Sequence, residues 1–405
     1  MKHYELIITG GGMVGSSLVC ALAGQGLRIA MVEAVRPETR NEPGYDDRAI
    51  ALAYGTKRIF TGLQLWGEIA AEATPIHRIH VSDRGHFGMV HLDREEEGLP
   101  ALGYVVPARV IGRVLGDAVQ RLEGVDRYCP ARVAAVKTDA GAVQVDVMQG
   151  GSTIKLSAGL LVAADGADSS VRERFGIESI TSDYAQTAIV TNVTPQLPHD
   201  NIAYERFTDT GPMALLPMTE QRCAVVWTVA SDAVDTVMAL ADAEFLASLQ
   251  ERFGYRLGRL ERVGKRQAWP LQLMKARESV RPRLALVGNA AHTLHPIAGQ
   301  GFNLGARDIA VLAEVLVDAV RQGQDPGELE VLQRYGVWRA GDQQRVTVFT
   351  DALARLFSLP LPALGMARSA GMLAFDLLPP AKRLLSRLTM GRSGRVPRLA
   401  RGLPL

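Results

Sequence analysis

The residues Leu284-Ala285-Leu286-Val287-Gly288-Asn289-Ala290-Ala291-His292, running on through Pro296 to Gly299-Gln300-Gly301-Phe302-Asn303, decide the architecture. The apolar run predicts a buried strand and the small residues after it a turn. The paired glycines open a long amphipathic helix over 302–320. The first N–H groups of a helix have no partners within it, and the helix dipole adds partial positive charge. A bound group that gains negative charge is therefore stabilised at that end. Gly299 and Gly301 let such a group approach the backbone with no Cβ in the way.

A second glycine-rich turn stands at the other end of the chain. Tyr4 to Thr9 reads as a strand, Gly10-Gly11-Gly12-Met13-Val14-Gly15 follows at once, 16–24 is helical, and 27–32 is a strand ending in Glu33. This is a βαβ unit with G-x-G-x-x-G and a carboxylate placed for ribose hydroxyls, the fingerprint of dinucleotide binding. One large cofactor spanning both turns is the economical reading.

The 405 residues are 47% hydrophobic, enough for one large core or two coupled domains. A net charge of +2 excludes a general nucleic-acid footprint. Cys20, Cys129 and Cys223 form neither a disulfide framework nor a metal-ligand pattern, which points to a reducing cytoplasm. Met1 to Glu5 leads straight into a strand without a signal-type apolar stretch, and no apolar run reaches the length of about 18 residues that spans a bilayer. His77, His80, His86 and His91 read as a polar strand face, so no metal site is expected.

Between the two turns, Arg48 precedes a small-residue segment and can pair with a pyrophosphate. Arg109, near the start of a helix over 107–122, can reach the same group. An apolar strand over 159–164 ends at Asp165-Gly166, where Asp168 or Ser169 caps a short helix containing Arg172, a second cofactor edge. Alternation from 185 to 230 predicts an antiparallel sheet whose Phe207, Leu215, Pro217 and Trp227 are pocket walls. The fold class is α/β: a Rossmann-like nucleotide domain interleaved with a mainly antiparallel substrate sheet and followed by a helical C-terminus. The nucleotide domain takes 1–75, 107–182 and 276–330, the substrate domain 76–106 and 183–275, and the helical region 331–405.

The set Gly10-Gly12-Gly15-Glu33, Arg48, Asp165-Gly166 with Arg172, and Gly288-Asn289 with Pro296 to Asp308 resembles the class A FAD-dependent aromatic hydroxylases of the 4-hydroxybenzoate hydroxylase fold. The run Leu294-His295-Pro296-Ile297-Ala298-Gly299-Gln300-Gly301-Phe302-Asn303-Leu304-Gly305-Ala306-Arg307-Asp308 resembles the ubiquinone-biosynthesis branch, nearest to 2-polyprenyl-6-methoxyphenol hydroxylases. Tyr204-Glu205-Arg206-Phe207 and Leu216-Pro217 share in that likeness. Asn289 stands where the broad family carries Asp; its carbonyl oxygen still accepts a hydrogen bond.

The resemblance implies FAD held by Gly10, Gly12, Met13, Val14, Gly15, Glu33, Ala34, Arg48, Arg109, Val133, Asp165, Gly166, Gly288, Asn289, Pro296, Gly299, Gly301, Phe302 and Asn303. It implies NADPH or NADH as electron donor, O2 as oxidant, a flavin C4a-hydroperoxide, and hydroxyl transfer to an electron-rich phenol bearing a polyprenyl chain. His295, Pro296 and Gln300 are the expected catalytic residues, His295 as proton acceptor with His292 behind it. Residues 381–405 hold seven Lys or Arg and no acid, beside apolar Leu384, Leu385 and Leu388. That pattern suits peripheral contact with the inner face of the membrane. A complex with other ubiquinone-biosynthesis proteins and a homo-oligomer both remain open. The rival classes are a prenyl-reducing flavoenzyme and a non-catalytic FAD-holding subunit.

Overall fold

The computed structural model describes residues 1–36, 45, 47–358 and 362–405. The chain has an α/β fold in which two large sheets share the polypeptide. The first is built on parallel strands in the order Leu284–Leu286, Ser152–Ala163, Lys2–Thr9, Ile29–Val32 and Val125–Tyr128. These strands are apolar on both faces because both faces are covered. On one side Leu18 and Leu22 of helix Met13–Leu22 meet Ile309, Leu312 and Leu316 of helix Gln300–Arg321 and Tyr335 of helix Leu329–Ser358. On the other, the antiparallel strands Arg132–Thr138 and Val143–Gln149 lay Val133, Val143, Val145 and Val147 over Ile7 and Leu161.

The second sheet runs His292–Thr293, Gln267–Ala276, Ser179–Pro195, Cys223–Ala230, Gly211–Pro217, Ile202–Thr208, Arg78–Asp83 and Met89–Asp93. Every neighbouring pair is antiparallel except Ile202–Thr208 with Arg78–Asp83. Successive side chains of a strand point to opposite faces. One face takes Ile189, Met213, Leu215 and Trp227 against Phe245, Leu249 and Phe253 of helix Asp242–Phe253. The other carries Ala188, Val190, Ala203, Ala214, Leu216 and Val226 into an internal cavity. A third, three-stranded sheet (Ala49–Ala53, Gly103–Pro107 and Thr74–Ile76) joins the two.

This parity corrects the pocket walls expected from the sequence. Leu215 and Trp227 are buried in the core under the helix, Trp227 meeting Phe245 edge-to-face, and Pro217 shares their parity. The pocket is lined one residue away, by Leu216, Ala214 and Val226. A strand read without its register can be assigned to the wrong face, and every side chain flips with it. Leu215→Ala is therefore expected to lower unfolding stability by about 2–5 kcal/mol, as for other buried leucines. Leu216→Ala should move denaturant midpoints far less and alter ligand binding instead; paired denaturation and binding curves check this.

Two short helices, Tyr54–Gly62 and Trp66–Ala70, follow the third sheet's first strand, parted where Gln64 takes φ 61°. No described helix is long and apolar enough to cross a membrane.

Candidate active site

Three segments converge on the carboxyl ends of the central parallel strands. In the first, Gly10 adopts φ 91°, and a Cβ there would run into the Ala164 carbonyl group. A Cβ on Gly15 would collide with the Gly10 carbonyl oxygen, so the helix can start this close to the strand only without one. Gly12, by contrast, faces open space at the start of helix Met13–Leu22. Glu33 accepts from the Gly11 and Val35 N–H groups, which fixes its carboxylate at the tip of the second strand, with Ala34 just beyond.

The second segment is Ala164 to Arg172. Ser169 caps the short helix Ser170–Arg174 by accepting from the Arg172 N–H at 3.0 Å. Arg172 is buried and donates to the carbonyls of Ala290 (3.0 Å) and Ala167 (2.8 Å), tying this loop to the third segment. Asp165 Oδ2 accepts from the Val171 N–H at 3.3 Å, while its buried Oδ1 has no hydrogen-bond partner.

The third segment is 288–308. Gly288 has φ 58° and packs against Val14. Its N–H donates to Asp308 Oδ2 at 3.1 Å, as does His292 Nε2 at 2.6 Å; Arg339 Nε and Gln343 Nε2 donate to Asp308 Oδ1 at 2.7 and 3.0 Å. Burial alone would push the Asp308 carboxyl up, but His292 and Arg339 outweigh it and hold it well below the usual carboxylate range. The helix Gln300–Arg321 starts from Gly299 in the left-handed region (φ 60°). Asn303 locks this start: it accepts from the Ala53 N–H (2.8 Å) and Thr56 Oγ1 (2.7 Å), and donates to the carbonyls of Ala51 (2.9 Å) and Gly299 (2.7 Å). All its hydrogen-bonding capacity is used, so it acts on the cradle's shape.

A continuous cavity of about 1030 Å³ opens between these segments and the second sheet. At one end it is bordered by Gly12, Met13, Val14, Gly166 and Asn289, and by Pro296, Gly299, Gln300, Gly301 and Phe302 at the helix start. Arg48, stacked 5.6 Å from the Trp269 ring, stands at its margin. At the other end it passes between the sheet and the C-terminal helices, where Phe349, Leu353, Met372, Phe375 and Leu385 wall it.

These residues fit a flavin dinucleotide. A Cβ at Gly12 or Gly301 would meet nothing within 4 Å, so both backbones face room for a ligand, and the buried Asp165 Oδ1, between the cavity-lining Ala164 and Gly166, is an orphan acceptor. A fixed carboxylate at the strand tip and a helix N-terminus facing the cavity complete the donor and acceptor set.

The structure places other expected residues elsewhere. His295 does not line the cavity: it is fully buried, packs edge-on to Tyr184 at 5.0 Å, and lies 3.4 Å from Gln186 Oε1. Burial drives its imidazole down to about 4, against the opposing pull of Asp351. It stays neutral where a proton acceptor would need to face substrate, which corrects its expected role. Gln300 borders the cavity but donates to the Thr389 carbonyl at 3.1 Å. Arg109 pairs with Asp47 at 2.7 Å and with Glu72, and its guanidinium is committed there. Val133, on strand Arg132–Thr138, faces the core, its carbonyl accepting from Arg174.

Among the histidines, His80 and His91 lie 2.7 Å apart, and Arg256 donates to His80 Nε2 at 2.5 Å. Among the described residues no cluster has the makings of a metal site. The C-terminal wall and Glu205 of the second sheet were missed by sequence reasoning. Glu205 had a signal: a charge between Ala203 and Phe207 on the inward parity of a strand.

The comparisons agree with this geometry. A family model described as FAD binding domain matches residues 3–349. The chain is 40% identical to ubiquinone hydroxylase UbiL of Rhodospirillum rubrum over 100% of its own length and 94% of that protein's. It is 31% identical to the 3-demethoxyubiquinol 3-hydroxylase of Escherichia coli, covering 96% and 98% of the two chains. Among solved structures, p-nitrophenol 4-monooxygenase PnpA from Pseudomonas putida superimposes with a TM-score of 0.81 at 21% identity, over 98% of this chain and 100% of that one. A cradle for a dinucleotide, a fold shared with aromatic hydroxylases and full-length relatives that are ubiquinone and demethoxyubiquinol hydroxylases converge: the chain belongs to the FAD-dependent monooxygenases of the ubiquinone hydroxylase family.

Proposed function

We propose that this protein hydroxylates the ring of a polyprenylated phenol in ubiquinone biosynthesis, with 2-polyprenyl-6-methoxyphenol as substrate, using NADPH or NADH and O2. The observation that carries the reading is the shape of the cavity. It begins at the flavin cradle and continues far beyond the space a single ring needs, between apolar walls that end at Met372, Phe375 and Leu385. Each methylene of an isoprenoid chain buried there contributes about 0.8 kcal/mol. FAD, when bound, supplies the electron transfer and oxygen chemistry. Gly12, Gly166, Asn289 and the Gly299 to Phe302 backbone hold it, and the helix N-terminus favours negative charge on its edge. The cavity walls exclude water from the reacting ring.

Access from a membrane belongs to the same reading. Helices Pro362–Asp376 and Pro379–Thr389 wall the cavity with Met372 and Leu385; together with the turn between them they expose Met366, Leu377, Leu378 and Leu384, and the second helix also exposes Arg383 and Arg387. Apolar residues among cations suit the headgroup region of an anionic bilayer. Flotation with anionic vesicles should carry the protein upward, and Leu384→Glu should release it.

Deleting the gene in its host and identifying the accumulated quinone precursor by mass spectrometry tests the reaction. Accumulated 2-polyprenyl-6-methoxyphenol supports the reading; unchanged quinone content overturns it. A precursor blocked at another ring position would move the assignment within the family, toward the reaction of the Escherichia coli 3-demethoxyubiquinol 3-hydroxylase. Met372→Trp is expected to raise the KM for a long-chain phenol at least about tenfold while sparing a short-chain analogue, since a tenfold change needs only about 1.4 kcal/mol of lost burial. Steady-state kinetics with both chain lengths checks it.

A further inference from the structure

Glu205 is the one carboxyl among the described residues that lines the cavity. It sits in strand Ile202–Thr208 opposite Ala214 on one side and Val81 on the other. Val226 lies beyond Ala214, Val190 beyond Val226, and Val90 beyond Val81, so a single row of side chains crosses the sheet with one charge-bearing member. All of these face the cavity. The Glu205 carboxyl has no hydrogen-bond or ion-pair partner among the described residues. The other titratable groups on the cavity are Arg48, stacked on Trp269; Arg368, 3.4 Å from Asp83 and over the Phe357 ring; and the Tyr204 phenol. None of them pairs with Glu205. A polar group in an apolar enclosure without a partner demands an explanation, and a ligand that brings the partner is the simplest one.

We propose that Glu205 is the catalytic residue that receives the proton of the substrate's ring hydroxyl. The proposal rests on the reading of the protein as a phenol hydroxylase. In the step, the phenolic O–H bond breaks and its electron pair stays on the ring oxygen. The proton forms a new O–H bond on the Glu205 carboxylate, and nothing is oxidised or reduced. The phenolate then donates electron density into the ring carbon to be hydroxylated. Burial pushes the Glu205 carboxyl up to about 8. That makes it a far stronger base than an exposed carboxylate and brings it close to a phenol, which ionises near 10. The small residues Ala203 and Ala214 beside it leave room for a ring against the sheet.

The test uses the FAD-loaded full chain with a 2-alkyl-6-methoxyphenol as probe. Wild-type kcat/KM for hydroxylation should climb with pH to a plateau above about 8, as the carboxylate forms. Glu205→Gln should be slower by about 10²–10⁴ at neutral pH. Its rate should recover toward wild type as the medium itself ionises the phenol, a rescue that a merely structural residue would not show. Thermal stability is a readout that needs no turnover. A carboxyl raised from 4.5 to about 8 by folding favours the folded state below 4.5 and loses that advantage as pH climbs through 8. Glu205→Gln should remove this slope.

If wild type hydroxylates the phenol and the Glu205→Gln profile superimposes on it, this proposal falls and the proposed function stands. If wild type turns over no phenol, both fall. Should Glu205→Gln fail to fold, the wild-type profile decides: a kcat/KM that stays flat between pH 6 and 9 overturns the proposal.

Discussion

Gly15→Ala is expected to give a protein that purifies without yellow colour and does not take up FAD on incubation. A Cβ at this position would overlap the Gly10 carbonyl oxygen and press toward Ala164. The helix Met13–Leu22 must then move off the strand that precedes it. Overpacking of this kind costs about 1–3 kcal/mol in the fold. The larger effect falls on binding, because the displaced backbone is the surface that faces the dinucleotide. Far-ultraviolet circular dichroism should remain near wild type, while flavin fluorescence titration should show affinity reduced at least about a hundredfold, the equivalent of about 2.7 kcal/mol. Gly12→Ala makes the useful contrast. Its Cβ meets no protein atom within 4 Å, so the empty protein should keep its full stability and lose affinity only through contact with the ligand.

Asp308→Ala should have the largest effect on stability. The side chain is wholly buried and accepts from His292, Arg339, Gln343 and the Gly288 N–H. Removing it leaves the Arg339 guanidinium enclosed with Asp342 and Arg307, the latter itself buried and lowered to about 10 by that burial. Breaking one partner out of a buried charge network costs about 3–5 kcal/mol. Flavin binding should weaken as well, since the Gly288 turn loses its anchor. The pH dependence follows from the direction of the shift. Because folding holds the Asp308 carboxyl below its unfolded value of 3.8, its stabilisation is present above that value and disappears as pH falls through and below it. Urea midpoints between pH 6 and 3 should therefore drop for wild type, and Asp308→Asn should flatten that part of the curve while lowering the whole of it.

The parts legible in sequence are those in which local chemistry and backbone shape coincide. Gly10, Gly12 and Gly15 announce a strand, a turn and a helix together, and Pro296 to Asp308 announces a second helix start. Ser169 was readable as a cap because a hydroxyl there satisfies a free N–H. What sequence could not supply was parity and distance. Leu215 and Leu216 differ in nothing but which side of a sheet they face, and only the pairing register decides that. His295 lies beside Pro296 in sequence, yet one points at Tyr184 and the other at the cavity. Arg109 was read as reaching the cofactor because its partners, Asp47 and Glu72, come from segments 62 and 37 residues away. The C-terminal wall was read as a membrane-facing amphipath, and its inner surface emerges only when the helices dock against the second sheet.

The divided sheet has a consequence for how such an enzyme can change. Odd positions such as 213, 215 and 227 lock the scaffold under its helix, while 214, 216 and 226 shape the chamber. The two sets alternate along the same strands, so selection for a new aromatic guest can enlarge or trim one set without loosening the other. A library confined to the inward positions would explore ring size and tail length on a frame whose melting behaviour stays put.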